Sequence, residues 1–392
     1  MKAYPLASTT WGEEEITAIH EVIESGRFTM GAQVSVFEEE FAEYIGSKYA
    51  VMVNSGSSAN LALLAAARYR KSPLLQPGDE ILVPAVSWST TFYPVNQLGC
   101  RLRFVDVNPD TLNIDVAKLE QAINPTTKAI FVVNLLGNPA EWDQISKIAQ
   151  QNNLLLLEDN CESLGASING KRAGTFGLGG TFSTFFSHHI STMEGGLVVT
   201  DDESLFHTLK SIRAHGWTRD LPDVNHVHNK TGSQWDDLFR FVLPGYNLRP
   251  LEMEAAIGRI QLRKLDSFIE ARRENAKYFV SLTKNLDGFR IQQETGVSSW
   301  FGFSLILEGK LVNRRPDLIA TLNEAEIESR PIVTGNFTRN PVIKHLDCAP
   351  FGDLPGADEV HDQGLFIGNH HFDLTAQIDR LAYILDEFQR RF

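Results

Sequence analysis

The sequence predicts an α/β fold, with a mostly parallel sheet in a large domain and a smaller α+β domain at the C-terminal end. Up to Thr200, short apolar runs typical of buried parallel strands alternate with helical or turn segments. A long helical pattern then begins at Pro250 and leads into a mixed segment. We therefore expect a large domain over residues 1–249 and, over residues 250–392, a long helix with a small domain.

The elements can be assigned in chain order. GEEEITAIHEVIESG predicts an entry helix with apolar residues at Ile16, Ile19 and Ile23, and a second helix is expected from Val34 to Tyr44. SGSSANLALLAAARYR is a small-residue turn that opens into a helix. Residues 213–247 are polar, aromatic and basic, and they predict a loop. The expected strands are EILVPA, LRFVDV, KAIFVVN, NLLLLED, GTFSTFF, GGLVVT and, in the C-terminal domain, WFGFSLIL.

Composition and charge exclude several classes of protein. The chain has 36 Lys and Arg against 49 Asp and Glu, a net charge of -13, which disfavours a general nucleic-acid binder. Its three cysteines are far apart, so we expect neither a disulfide framework nor a metal centre. The start lacks a signal pattern, and no apolar run approaches the roughly 18 residues that cross a bilayer. We expect a cytoplasmic protein without membrane or nucleic-acid partners.

The stretch VNSGSSAN lies where a strand passes into a helix. Gly56 and Ser57 would present backbone N–H groups and a hydroxyl at the positive end of that helix, which suits a phosphate monoester. The alternative is a simple helix cap.

The stretch LLLLEDNCES predicts a buried strand with acidic residues at its C-terminal end. Ligand sites in parallel α/β sheets lie at such ends, and a carboxylate such as Asp159 can hold a pyridine nitrogen protonated there. The alternative is that Asp159 caps the next helix. In VPAVSWSTTFYP, Trp88 follows a strand and can stack on a planar ring, although a core or interface role is the alternative.

The stretch FSTFFSHHISTMEGG places Ser183 on a strand and His188 in the turn that follows. A histidine there can act as acid and base near neutral pH, or it can hydrogen-bond a loop. A metal site formed by His188 and His189 is disfavoured, because adjacent side chains of an extended segment point to opposite faces.

Five motifs in this order, SGSSAN, VSWST, LEDNCES, TFSTFFSHH with STMEGGLVVT, and GYNLRP, resemble the DegT/DnrJ/EryC1/StrS sugar aminotransferase family of the aspartate aminotransferase fold. The resemblance implies pyridoxal or pyridoxamine phosphate as cofactor. It places Gly56, Ser57 and Ser183 at the phosphate, Trp88 on the ring, Asp159 at the pyridine nitrogen and Glu162 near the ring hydroxyl. Asn247 and Arg249 match a segment that reaches into the partner's site in the family, so a homodimer with shared sites is implied.

The chain departs from the family pattern at one position, where His188 replaces the lysine that holds the cofactor covalently. That histidine is typical of a small branch, the keto-sugar 3-dehydratases. The resemblance implies a non-covalently bound cofactor, L-glutamate as amino donor, and a 4-keto-6-deoxyhexose 3-dehydratase of surface-polysaccharide (lipopolysaccharide) deoxysugar biosynthesis with His188 as acid and base. The substrate that the resemblance implies is a keto-sugar, either nucleotide-linked or free.

Two alternatives to dehydration stay open. One is a sugar aminotransferase that transfers the glutamate amine to a keto- or aldehydo-sugar, and the other is a catalytically silent binding protein. His215 and Arg219 in the predicted loop, and Arg330 in ESRPIV, can contact an acidic group of the substrate or can serve only their own segments.

Overall fold

The computed structural model describes residues 3–392 as a helix-flanked sheet structure. In this part of the chain the α-helices are α1 Glu13–Ser25, α2 Ala32–Ile45, α3 Gly56–Tyr69, α4 Ser89–Gln97, α5 Val116–Ala122, α6 Trp142–Gln151, α7 Glu203–Arg213, α8 Gln234–Asp237, α9 Glu252–Thr283, α10 Arg315–Glu324, α11 Pro355–Gln363 and α12 Thr375–Arg391. No helix in the described range is long and apolar enough to cross a membrane.

The strands of the described residues form three sheets. They are β1 Tyr49–Val53, β2 Glu80–Pro84, β3 Arg101–Val105, β4 Thr127–Val133, β5 Leu155–Asp159, β6 Ser167–Ile168, β7 Lys171–Arg172, β8 Gly180–Ser183, β9 Gly196–Thr200, β10 Phe289–Ile291, β11 Gly302–Leu307, β12 Ser329–Arg330, β13 Cys348–Pro350 and β14 Gly364–Gly368. The large sheet has the order β1-β9-β8-β5-β4-β2-β3-β13, the small sheet has the order β10-β11-β14-β12, and β6 pairs with β7.

The sheet topology confirms the predicted fold class. All neighbours from β8 through β13 in the large sheet are parallel, and only β9 runs antiparallel to its two neighbours. The small sheet is antiparallel. One strand of the C-terminal part, β13, returns to the edge of the large sheet beside β3. The division of the chain between residues 249 and 250 stays a prediction.

The first helix exists as predicted, but its buried face differs from the isoleucine pattern. Ile16 and Ile23 are about half exposed, at 43% and 50%. The buried residues are Glu15, Ala18 and Val22. Glu15 accepts hydrogen bonds from the amide of Gln261 and the ammonium of Lys264 on α9. A buried carboxylate needs such partners, so this contact orients the helix toward α9.

Two charged side chains form hydrogen bonds with the backbone of the edge strand β1. Met52 donates its N–H to Glu38 Oε1 over 2.8 Å, and its carbonyl accepts from Arg213 Nη1 over 2.7 Å. Arg213 also pairs with Glu38, and both side chains are buried. The partly exposed Lys210 approaches the other oxygen of Glu38 at 3.3 Å. This arrangement joins α2, β1 and α7, and β1 leads directly into the start of α3.

We expect Arg213→Met to lower the free energy of unfolding by about 3 kcal/mol or more, because it leaves a buried carboxylate and a strand carbonyl without their partner. The matched control Lys210→Met removes a partly exposed cation from the same carboxylate and should cost less than about 1 kcal/mol. Urea unfolding followed by circular dichroism measures both. Equal losses in the two variants would contradict the buried pair's importance.

Candidate active site

A cavity of about 340 Å³ lies at the C-terminal ends of the central parallel strands. This is the edge at which ligands bind in such sheets. It brings together eight of the residues that the sequence singled out, and these are Gly56, Ser57, Trp88, Asp159, Glu162, Ser183, His188 and Arg330. These positions are far apart in the chain, so the fold assembles them as the motif order predicted.

The start of α3 forms one wall of the cavity. Ser55 caps the helix by accepting the N–H of Ser58 over 3.1 Å. A Cβ atom at Gly56 would lie only 2.6 Å from Cβ of Ser183, so this close approach requires glycine. Ser57 donates its hydroxyl to Thr90 Oγ1 over 2.9 Å. The hydroxyls and the helix N-terminus suit a phosphate group.

Asp159 lies at the end of β5 and is held from three sides. Its Oδ2 accepts the amide of Asn60 over 2.8 Å and the hydroxyl of Thr91 over 2.7 Å. Its Oδ1 accepts the backbone N–H of Cys161 over 3.2 Å. The side chain is 5% exposed. A buried carboxylate that lines a cavity and is fixed in this way can accept a further proton donor, such as a pyridinium N–H.

Glu162, three residues after Asp159 in the sequence, lines the same cavity. Its Oε2 accepts the N–H of Leu136 over 3.2 Å. Burial raises the pKa of this carboxyl to about 7, although the positive charge of Arg330 opposes the shift. Near pH 7 the carboxyl is therefore about half protonated, and its neutral form can donate a hydrogen bond to an oxygen in the cavity.

His188 follows β8 in a turn and borders the cavity. Its ring packs against the rings of Phe185 and Phe301, with centroids 6.1 and 5.3 Å away. Burial, with a smaller contribution from the positive charge of Arg330, lowers the pKa of His188 to about 4. Its Nδ1 has no hydrogen-bond partner among residues 3–392. The imidazole is therefore neutral at pH 7, which is the form that accepts a proton.

The neighbouring His189 has a different environment. It is 1% exposed, and its Nε2 lies 3.0 Å from the carbonyl oxygen of Ser299. Burial holds the pKa of this imidazole well below its usual range. No group of three or more histidine, cysteine or acidic residues in residues 3–392 could hold a metal ion. Of this pair, His188 lines the cavity and His189 does not.

Four further candidates lie together but do not line this cavity. Arg219 lies 3.7 Å from the centre of the Trp217 ring, and Arg249 lies 5.9 Å from it. His215 packs against the same ring at 5.3 Å. Asn247 is exposed and accepts a hydrogen bond from Arg249 over 2.9 Å. Their role in the site of a second copy stays a prediction.

The sequence analysis did not single out several residues that support the site. Asn60 and Thr91 hold Asp159, and Phe301 packs on His188 from the C-terminal part of the chain. Asn60 and Thr91 do lie within the motifs that contain Gly56 and Trp88. Their polar side chains on otherwise apolar helix faces were the available sign that a buried partner exists.

The donor set fits pyridoxal phosphate. The start of α3 with Ser57 and Ser183 offers a phosphate cradle, and Asp159 offers a carboxylate for the ring nitrogen. Trp88, which is 57% exposed and precedes α4, offers an aromatic face. No lysine is found among the described residues that line the cavity. The site thus provides non-covalent contacts and an unpartnered imidazole nitrogen.

Comparisons with known proteins agree with this geometry. A sequence profile described as the DegT/DnrJ/EryC1/StrS aminotransferase family matches residues 9–385. The chain is 56% identical over 384 residues to the GDP-4-keto-6-deoxy-D-mannose 3-dehydratase of Yersinia pseudotuberculosis, a match that covers 97% of this chain and 98% of the relative.

Two solved structures are similar over nearly the whole chain. The Escherichia coli GDP-4-keto-6-deoxy-D-mannose-3-dehydratase with bound hydrated pyridoxal phosphate has a TM-score of 0.96 and 54% identity, covering 98% of this chain and 100% of that one. A histidine-to-asparagine mutant of GDP-4-keto-6-deoxymannose-3-dehydratase with bound GDP-perosamine has the same TM-score and identity, covering 97% and 100%. The motifs, the fold and the profile match agree, and the chain belongs to the DegT/DnrJ/EryC1/StrS aminotransferase family.

Proposed function

We propose that this chain is a pyridoxal-phosphate-dependent enzyme that removes the 3-hydroxyl of a 4-keto-6-deoxyhexose, with L-glutamate as amino donor. The observation that carries the proposal is a neutral histidine, His188, in a cavity whose described lining contains no lysine. The similar dehydratases support GDP-4-keto-6-deoxy-D-mannose as the substrate. Deoxysugar biosynthesis for surface polysaccharide is the corresponding pathway class.

The net reaction balances without another reductant. The keto-sugar and L-glutamate become the 3-deoxy keto-sugar, 2-oxoglutarate and ammonia, with glutamate as the source of the two electrons. The cofactor, when bound, supplies a carbonyl that condenses with amines and a ring that accepts electrons from the adjacent carbon. The chain's own residues must then bind, orient and move protons.

We assign the binding roles to the residues that surround the cavity. Gly56, Ser57 and Ser183 hold the phosphate, Asp159 accepts the pyridinium N–H, and Trp88 contacts the ring face. Glu162 contacts the ring hydroxyl. Arg330 lines the cavity without a carboxylate partner among the ion pairs of residues 3–392, which suits an acidic group of the donor or the sugar.

His188 is the proposed acid and base. A neutral imidazole accepts a proton from carbon, and the resulting imidazolium can protonate a departing hydroxyl. No hydrogen bond to Nδ1 from residues 3–392 competes with these proton transfers. A histidine can therefore do the proton work of a lysine but cannot store the cofactor covalently.

Amination is the second candidate, and the description of the family as aminotransferases favours it. It would use the same cavity and the same donor and would end with nitrogen on the sugar. The retained set of predicted cofactor contacts in one cavity counts against a catalytically silent protein.

We further propose a cytoplasmic homodimer in which each copy completes the site of the other. In the cluster, Arg219, Arg249 and His215 surround the ring of Trp217, and none of the four lines its own chain's cavity. Such a cluster is suited to an anionic substrate group. Asn247 accompanies it at the segment that resembles the family's partner contact.

Incubation with the keto-sugar, L-glutamate and pyridoxal phosphate should give a sugar product lighter by one oxygen atom, together with ammonia. Mass spectrometry of the sugar and an enzymatic ammonia assay measure the two products. His188→Gln keeps the size of the side chain but removes the base, so it should lower the rate at least about 100-fold. A product that retains nitrogen would replace dehydration by amination.

Borohydride should not attach pyridoxal phosphate to the native chain but should attach it after His188→Lys. Only the variant has an amine in the cavity wall that can condense with the cofactor's carbonyl. Intact-protein mass spectrometry measures the added pyridoxyl group, and His188→Gln is the control that should remain unlabelled. Stoichiometric labelling of the native chain would show that another lysine reaches the site.

Asp159→Ala should weaken binding of pyridoxal phosphate by at least about tenfold, because it removes the proposed charge partner of the ring nitrogen. Equilibrium dialysis with absorbance detection gives the dissociation constant. Asp201→Ala is a suitable control, since Asp201 is an exposed carboxylate that accepts from the N–H of Lys48. Equal affinity in the two variants would remove Asp159 from the cofactor contacts.

A further inference from the structure

A second, smaller cavity adjoins the active-site cavity. Its volume is about 20 Å³, which is room for about one water-sized group. Its polar wall consists of Ser187, Arg272, Arg330, Asn369 and His370, and residues 6–8 close it from the other side. Ser187, Arg330 and Phe301 line both cavities, so the two are contiguous. We call the smaller one the Arg272 cavity.

Arg272 on α9 is a buried cation without a counter-charge. It is 4% exposed, and its Nη1 donates to the carbonyl oxygens of Phe301, over 3.1 Å, and Asn369, over 2.6 Å. Its Nε has no hydrogen-bond partner among residues 3–392, and none of the ion pairs in that range includes it. Burial lowers the pKa of Arg272 to about 10, so the guanidinium stays charged at neutral pH.

The other described residues that line the cavity supply no negative charge. The carbonyl of Pro5 can only accept, so His370 Nε2, 2.9 Å away, carries the proton, and Nδ1 accepts the hydroxyl of Ser8 over 2.9 Å. Burial lowers the pKa of His370 to about 4, which keeps this ring neutral. Arg330 adds a second positive charge and packs on the ring of Phe366 at 4.6 Å.

We propose that the Arg272 cavity is an anion subsite that receives one negatively charged oxygen or a halide. The guanidinium groups of Arg272 and Arg330 and the hydroxyl of Ser187 meet at this cavity, and two positive charges favour an anion over water. The side-chain N–H groups of His370 and Asn369 are already donated to protein carbonyls, so these two residues close the wall. The contiguity with the active site identifies a carboxylate of the amino donor as the ligand in turnover, and this assignment of the ligand rests on the proposed function.

Bromide is the probe that tests the subsite without turnover. Crystals of the full chain grown in sodium bromide should show an anomalous scattering peak beside the guanidinium of Arg272. The peak should be absent in Arg272→Gln and present in Arg273→Gln. Arg273 is a matched control because it also donates to carbonyl oxygens, those of Ser298 and Gly165, but it does not line this cavity. Absence of the peak in the native chain would overturn the proposal.

Thermal unfolding tests the same site in solution. Replacing gluconate, which is too bulky for the cavity, by bromide at constant ionic strength should raise the unfolding midpoint saturably in the native chain and in Arg273→Gln. Arg272→Gln should lose this rise. Ser187→Ala should weaken it, and this variant keeps the test valid if Arg272→Gln fails to fold. An equal bromide effect in all four proteins would show only a general salt effect and would refute the subsite.

Competition between glutarate and bromide, in the protein loaded with pyridoxal phosphate, shows whether the subsite takes the donor's carboxylate or a halide. Saturating glutarate, which carries the donor's two carboxylates but no amine, should displace the bromide peak. A bromide peak that persists would overturn the donor assignment and leave a halide as the ligand. Neither result depends on dehydration, so failure of the proposed function would leave the bromide peak of the native chain in place.

Discussion

One carboxylate, that of Asp159, fixes the positions of the helices and strands of the site relative to one another. The hydroxyl of Thr181 on β8 donates to Asn60 on α3 over 2.6 Å, and Asn60 donates to Asp159 on β5. Thr91 on α4 donates to the same oxygen of Asp159 and lies 2.7 Å from the hydroxyl of Ser87. These groups are buried, so each depends on the next for its hydrogen bond. The start of α3 and the start of α4, which carry the predicted phosphate and ring contacts, are therefore fixed relative to β5.

Burial sets the protonation states of the ionisable groups in the cavity, and the charge of Arg330 modifies them. Burial alone drives His188 and Glu162 toward their neutral forms, which means a lowered pKa for the imidazole and a raised pKa for the carboxyl. The charge of Arg330 adds to the first shift and opposes the second. Near neutral pH the result is a neutral imidazole and a carboxyl with a pKa of about 7 in the lining of one cavity. The two groups can thus take different roles in one small volume.

The sequence predicted the parallel sheet and the cavity wall well, because both depend on local patterns. The apolar runs of β2 to β5 and the small-residue start of α3 are readable within a few residues. The exposed Ile16 and Ile23 show the limit of such patterns, since the buried contact of Glu15 with Lys264 turns the helix. That contact links positions far apart in the chain, so the spacing of apolar residues within the helix cannot predict it.

Local sequence patterns also fail to show some long-range contacts of the site. Asp159 and His188 are recognisable because they occupy fixed places in motifs, whereas Arg272 lies within an ordinary charged helix pattern. Only the fold shows that this arginine is buried and unpaired, next to a cavity that the N-terminal segment closes. From the sequence alone, a charged residue on a long helix is expected to be exposed to solvent.

Among residues 3–392 no lysine lines the cavity, and this makes preorganisation the decisive property of the site. A cofactor without a covalent link must be retained by contacts alone, and the cost of ordering those contacts reduces affinity. Here Asn60, Thr91 and Cys161 of the chain itself hold Asp159 by hydrogen bonds. The close packing of Gly56 on Ser183 fixes the proposed phosphate contacts in the same way. The rigid wall can therefore compensate for the missing bond, while the unpartnered ring of His188 stays free to move protons.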